Sequence, residues 1–181
     1  KESFEQLVKD NRIWFGANGN AMPRRKRFLT EVSEGIVPTT WWSSDLYSDN
    51  QAAKREIRKI FYDQNDIFQT PKPTLLIQRI LELATDKDSI VLDSFAGSGT
   101  TAHAVLKLNA EDGGNRKFIL IETMDYAETI TAERVRRVMG GYGEDSKRVE
   151  GLGGAFDFYE IGDRIFQEDG NLNESIGAEE I

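Results

Sequence analysis

The sequence predicts an α/β fold with a parallel strand–helix–strand unit at its centre, and three observations predict it. Residues 89–92 and 118–121 are short apolar runs of the kind that form buried strands, and each leads straight into a carboxylate, Asp93 and Glu122. Between them Gly97-Ser98-Gly99 forms a turn. Helical spacing follows that turn from Thr100 to Leu108. A strand joined to its parallel neighbour through a helix crosses over right-handed in nearly all sheets.

The elements follow in order. Residues 1–8 read as a helix, and the lack of an initial methionine gives the expectation that the chain is part of a longer polypeptide. Up to residue 47, apolar patches at Ile13-Trp14-Phe15, Phe28-Leu29 and Trp41-Trp42 are broken into turns by Gly16, Gly19, Pro23 and Pro38. Trp41 and Trp42 are able to stack on bases. Burial in a core is the larger stabilisation for such rings, and is the reading preferred. Residues 50–61 form a helix with Ala53, Ile57, Ile60 and Phe61 on one face. Proline at the first helical position starts the next helix at Pro73, with Leu76, Ile77, Ile80, Leu81 and Ala84 as its apolar face. Asn109 and the loop Glu111-Asp112-Gly113-Gly114 close the helix that begins at Thr100. A further helix spans residues 126–139 and ends at Gly140 and Gly141, and residues 156–161 form another strand. Beyond Gly162 the chain is acidic and aromatic-poor, the composition of a frayed tail.

At 181 residues and 39% hydrophobic content the chain suits one domain with a core. It holds no long apolar run and no signal-peptide pattern. With no cysteine there are no disulfides or thiolate metal sites, which fits a cytoplasmic setting. The only histidine, His103, lies in the helix after the glycine turn, where packing is the simpler role, since metal sites need clustered ligands. A net charge of −8 argues against a protein that coats nucleic acid. Residues 160–181 hold seven acids and one base, so the rest of the chain is close to neutral. Two basic runs can meet phosphates, Arg24-Arg25-Lys26-Arg27 and the set Arg134, Arg136 and Arg137. The competing readings are a solvated loop for the first and a dipole-matched last helical turn for the second, the latter being preferred.

The turn itself carries the chemistry. Gly97 and Gly99 permit positive φ and close approach to a ligand, and the helix from Thr100 aims its free N–H groups at that place. Gly97-Ser98-Gly99-Thr100-Thr101-Ala102 fits the dinucleotide pattern G-x-G-x-x-G/A of a Rossmann-like turn. No Lys-Ser or Lys-Thr follows, so a Walker A loop is excluded. Asp93 at the strand exit repels a pyrophosphate but accepts hydrogen bonds from an ammonium, which S-adenosylmethionine has and NAD lacks. Glu122, ending the second strand, is placed to accept from both ribose hydroxyls. The alternatives are an ordinary strand-to-helix turn and a surface glutamate.

Phe68-Gln69-Thr70-Pro71-Lys72-Pro73, followed by an apolar helix and then Asp93-Ser94-Phe95-Ala96-Gly97-Ser98-Gly99-Thr100-Thr101, resembles the DNA amino-methyltransferases of the β arrangement. Arg12-Ile13-Trp14-Phe15-Gly16, Pro38-Thr39-Thr40-Trp41 and Thr101-Ala102-His103-Ala104-Val105 are similar to the modification subunit of type III restriction–modification systems. The resemblance covers about residues 10–160. It implies a three-layer α/β/α methyltransferase fold and S-adenosylmethionine held by Phe68, Lys72, Pro73, Asp93, Ser94, Phe95, Ala96, Gly97, Ser98, Gly99, Thr100 and Glu122. It also implies transfer to the amino group of adenine in double-stranded DNA. Ser94 stands where the family usually has a larger residue.

The family activates the amino group with a D/N/S-P-P-Y/F/W motif. Here Pro23, Pro38, Pro71 and Pro73 are the only prolines and no two are adjacent, so that motif is missing. In the β arrangement it lies N-terminal to the cofactor segments. The expectation is therefore a cofactor-binding C-terminal part: residues 1–66 close the target-recognition or linker region, 67–162 bind the cofactor, and 163–181 form the acidic tail. The partners implied are DNA, the preceding part of the polypeptide, a second modification subunit and a restriction subunit. The competing functions are an NAD-type dehydrogenase fragment and a non-catalytic assembly module.

Overall fold

The computed structural model describes residues 3–32, 35 and 37–173. It divides into two compact units, Lys1–Trp41 and Trp42–Ile181.

In the first unit, Ser3 caps α1 (Phe4–Lys9) by accepting from the Gln6 amide at 3.2 Å. Strand β1 (Ile13–Trp14) pairs antiparallel with β2 (Arg24–Arg25), Ile13 opposite Arg25 and Trp14 opposite Arg24. The first half of the basic run is thus strand rather than loop, and the Lys26 amide continues the pairing by donating to the Arg12 carbonyl at 2.7 Å. Trp41 is 81% exposed, which corrects the expectation that it joins a core.

In the second unit, α2 (Ser44–Tyr47) carries Tyr47 against Trp42, with the rings stacked at 4.6 Å. Asp49 caps α3 (Asn50–Ile60) through the Ala52 amide. The spacing of Ala53, Ile57 and Ile60 puts all three on one buried face, and Ile57, Ile60 and Phe61 meet Val138 in the first core cluster. The sequence divides the chain near residue 66, and α3, which precedes that point, packs within this unit. Helix α4 (Thr74–Ala84) begins one residue later than predicted, because Pro73 takes the cap position with extended ψ of 128°. Leu81 packs with Ala104, Val105 and Leu108 in a second cluster against Val91 and Phe118.

Strands β3 (Ile90–Asp93) and β4 (Lys117–Leu120) pair in parallel, Ile90 opposite Lys117 and Asp93 opposite Leu120. Helix α5 (Thr100–Asp112) joins them. It runs past the predicted stop at Asn109, because that side chain bonds the start of β4 instead of ending the helix. Its Nδ2 donates to the Arg116 carbonyl at 2.9 Å, and its Oδ1 accepts from the Arg116 amide at 3.1 Å. The expectation of fully buried strands is corrected. Val91 and Phe118 face the helices, while Ile90 and Leu92 are 66% and 60% exposed and Ile119 and Ile121 about half exposed. Among the described residues this is an α/β arrangement in which helices cover the Val91 and Phe118 face of the strand pair.

The predicted helix over residues 126–139 is wound in two ways. Ala127–Ala132 is a π-helical segment, and α6 (Glu133–Gly140) continues as ordinary α-helix. The predicted strand at 156–161 does not form. Phe156 is used in ring packing 6.5 Å from Phe118, and Tyr159 and Ile161 are 83% and 102% exposed, so no alternating face meets a core. Past Gly162 the Phe166–Leu172 bridge closes a local turn, and residues 174–181 of the expected tail lie outside the described residues.

Candidate cofactor site

The strand ends meet the glycine turn through a closed set of hydrogen bonds. Asp93 Oδ1 accepts from the Phe95 amide at 3.1 Å and Oδ2 from the Thr101 hydroxyl at 2.5 Å. The Ile121 amide donates to the Asp93 carbonyl, and the Ala96 amide to the Ile121 carbonyl, so the ladder runs on into the turn. Glu122 Oε2 accepts from the Gly97 amide at 2.8 Å, and Oε1 from the amides of Thr123 and Met124 at 2.9 and 3.1 Å. Both carboxylates therefore shape the turn before any ligand arrives. Asp93 keeps free acceptor positions, since a carboxylate offers about four.

Gly99 is required twice over. Its φ is +73°, and a Cβ there would lie 2.9 Å from the Thr131 carbonyl oxygen. The π-helical segment presses against the turn at this point, and the Thr131 hydroxyl donates to the Gly97 carbonyl at 2.5 Å. Short π segments recur at functional sites.

A second wall comes from the segment before α4. The Phe68 ring lies 3.5 Å from where a Gly97 Cβ would stand, and meets Tyr126 edge-on at 5.4 Å. The Thr100 hydroxyl reaches toward the Lys72 carbonyl at 3.4 Å. Phe68, Lys72, Pro73, Asp93, Gly97, Ser98, Gly99, Thr100 and Glu122 are thus gathered at one place. Ala96, Ser98, Thr100 and Pro73 are buried there, and Ser94 is exposed. Phe95 is 91% exposed, with its ring turned from the protein. Arg24, Arg25 and Arg27 lie on the surface of the first unit, while Lys26 donates to Asn11 at 2.8 Å.

Three residues at this place were not read from sequence as part of the cofactor site: Tyr126 and Thr131, and Arg134, which was read only in a basic run. The Tyr126 phenol faces Glu122, and burial together with that carboxylate raises its pKa. Arg134 corrects the expectation of a dipole-matched basic last turn, because it lies in the first turn of α6 and is fully buried. Its guanidinium donates to Thr100 Oγ1 at 2.8 Å and Ser98 Oγ at 3.1 Å, and also to Thr74 Oγ1 at 3.0 Å. It faces Glu56 at 3.3 Å and His103 Nδ1 at 3.2 Å. One cation thereby ties α3, α4 and the glycine turn together. Burial, then the Arg134 charge, lowers the His103 pKa to about 3, so the imidazole is neutral and accepts. Burial lowers the Arg134 pKa to about 10, which leaves it charged at neutral pH. The spacing Thr131, Arg134, Val138 placed this arginine on the apolar face, a signal present in the sequence. Arg137 is different again: it pairs with Asp63 and Glu133 and lies 4.8 Å from the Phe61 ring.

The fold and the site define an α/β chain with a glycine turn at the carboxyl ends of a parallel pair, walled by an aromatic–proline segment. The chain belongs to the DNA methylase family, whose N6/N4 model matches residues 2–133. It is 48% identical to the type III restriction-modification enzyme StyLTI Mod subunit of Salmonella typhimurium over 125 residues, 69% of this chain and 18% of that protein. To the type II methyltransferase M.KpnI of Klebsiella pneumoniae it is 46% identical over 107 residues, 59% of this chain and 25% of that protein. The EcoP15I Mod subunit of Escherichia coli is 29% identical over 121 residues, 67% of this chain and 18% of its own length. The chain therefore spans about a fifth to a quarter of the length of these relatives.

Proposed function

We propose that this chain is the methyl-donor-binding part of a DNA methyltransferase acting on the exocyclic amino group of adenine in double-stranded DNA. The observation that carries the proposal is the convergence of the segment from Phe68 to Pro73, the turn after Asp93, and Glu122. The residues present fit S-adenosylmethionine, which when bound supplies an activated methyl group on sulfur. Asp93 has acceptor positions left for an ammonium beside those used by Phe95 and Thr101. Glu122 and the facing Tyr126 line the side where ribose hydroxyls would be held, and Phe68 offers an apolar edge against the turn. The family membership favours this donor over the nicotinamide alternative. A three-layer methyltransferase fold is part of the same reading, with the exposed face of β3 and β4 covered in the complete domain.

Transfer needs more than a donor. The adenine amino group is a weak nucleophile, because its lone pair is delocalised into the ring, and acceptors must orient it toward the methyl. Correct orientation lowers such a barrier by roughly 7–11 kcal/mol. With no adjacent prolines in residues 1–181, the D/N/S-P-P-Y/F/W motif must come from elsewhere in the active enzyme. A second modification subunit, a restriction subunit and a cytoplasmic setting belong to this proposal, by analogy with the type III relatives. Among the described residues no helix is long and apolar enough to cross a membrane.

Calorimetric titration of the chain with S-adenosylmethionine, its demethylated product and NAD tests the donor site. Binding of the first two is expected, and preference for NAD overturns the reading. Radiolabelled methyl transfer to mixed-sequence duplex DNA is expected to stay at background with this chain alone. It is expected to appear when a region carrying the missing motif is supplied.

A further inference from the structure

The exposed face of α3 carries four cations, Lys54, Arg55, Arg58 and Lys59, all solvent-exposed and with no ion pair among the described residues. Elsewhere in the same unit exposed cations without an ion pair among the described residues, such as Lys72, Lys117 and Lys147, do not form such a cluster on one helix face, and several arginines are paired. Arg79, Arg116, Arg136 and Arg137 each hold a carboxylate, as the excess of acidic residues makes easy. The one acid of α3, Glu56, is turned inward to Arg134 and Thr74, and leaves the outer face uniformly positive. Like charges at Lys54/Arg58 and Arg55/Lys59 are i,i+4 pairs, which weaken a helix. The helix dipole accounts for Arg58 and Lys59 in the last turn but not for Lys54 and Arg55 a turn earlier. Such a face is complementary in charge to an external polyanion.

Its position says where that polyanion runs. Lys54 and Arg58 line a cleft of about 270 Å³ whose other wall is Asp66, Ile67, Phe68 and Gln69. Asp66 is the one carboxylate in it, so the cleft stays net positive. Phe68 is shared, because its ring also lies beside the glycine turn, 3.5 Å from where a Gly97 Cβ would stand. The two tiers of charge are about 6 Å apart along the helix.

We propose that the outer face of α3, from Lys54 to Lys59, grips the phosphate backbone of duplex DNA and lays it alongside the donor site. This rests on the methyltransferase reading above. The phosphate contacts fix where the duplex lies and carry no sequence information. The test is fluorescence anisotropy of a labelled mixed-sequence duplex with the whole chain over a range of KCl concentrations. Three variants are compared with the parent: K54Q/R58Q, the charge-keeping K54R/R58K, and R148Q/R164Q as a matched loss of charge elsewhere. Each phosphate contact contributes about 0.9 to the slope of log affinity against log salt, so K54Q/R58Q is expected to flatten that slope by about 1.8. K54R/R58K and R148Q/R164Q are expected to keep it. An unchanged slope in K54Q/R58Q, an equal loss in R148Q/R164Q, or no salt-dependent duplex binding by the parent each overturns the proposal. Donor titration in parallel separates the failures. If the donor binds while the slope ignores K54Q/R58Q, the α3 inference falls alone; if the parent chain does not bind the donor, the methyltransferase reading falls.

Discussion

Replacing Arg134 by methionine removes the one group that joins three segments of the candidate site. Methionine fills most of the space but donates no hydrogen bond. Thr100, Ser98 and Thr74 lose their shared donor, and Glu56 and His103 lose the cation between them. Breaking a buried ion pair from one side costs about 3–5 kcal/mol. The Arg134 side chain is 1% exposed but Glu56 is 30% exposed, so the carboxylate left behind regains water. The three hydroxyls can also turn to other acceptors. The expected loss therefore sits at the low end, about 3 kcal/mol. Urea denaturation of the chain measures it, and Glu56→Gln serves as the companion. Gln keeps an acceptor for both Arg134 and Thr74, and the expected loss there is about 1–2 kcal/mol. A loss below about 1 kcal/mol for Arg134→Met would refute the claim that this cation holds the glycine turn against α3 and α4.

Gly99→Ala is expected to destabilise by about 2 kcal/mol, from the positive φ and from contact with the Thr131 carbonyl. A melting temperature equal to the parent's counts against that close approach. Asp93→Ala is expected to weaken S-adenosylmethionine binding by about 1.5–3 kcal/mol. Because Asp93 also holds the Phe95 amide and the Thr101 hydroxyl, a loss of about 1–3 kcal/mol in folding stability accompanies it, and denaturation paired with calorimetry reads both. For His103 the folded pKa lies below the usual 6.5, so the unfolded chain takes up a proton that the native one refuses. Stability from this group is full above pH 6.5 and is lost as pH falls toward 3, at up to 1.36 kcal/mol per pH unit. That is about 2 kcal/mol by pH 5, and His103→Gln is expected to remove this component from the urea midpoints. Equal pH dependence in the two proteins would show that the imidazole is not desolvated.

The sequence by itself determined the central unit and the main components of the candidate site. Apolar runs ending in Asp93 and Glu122, and glycines between a strand and a helix, are local signals. Backbone geometry near each residue decides them, and so the parallel pairing and the turn emerged where they were read. The helix face of α3 was legible for the same reason, from side chains repeating every three to four positions. That of α4 was legible only around Leu81, since Ile80 and Ala84 are exposed and Thr74 and Gln78 are buried in contact with Glu56, Arg134 and Glu111. Tertiary structure decided everything that depends on a neighbour distant in sequence. Whether Arg134 is solvated or buried turns on Glu56 and Thr74, 78 and 60 residues away. Whether residues 156–161 form a strand turns on a partner edge, which no local pattern announces. The division of labour at Asp93 and Glu122 is of the same kind. A carboxylate at a strand end reads as a ligand group, and only the fold shows that backbone amides already occupy part of it, because hydrogen-bond partners are fixed by three-dimensional proximity and not by order along the chain.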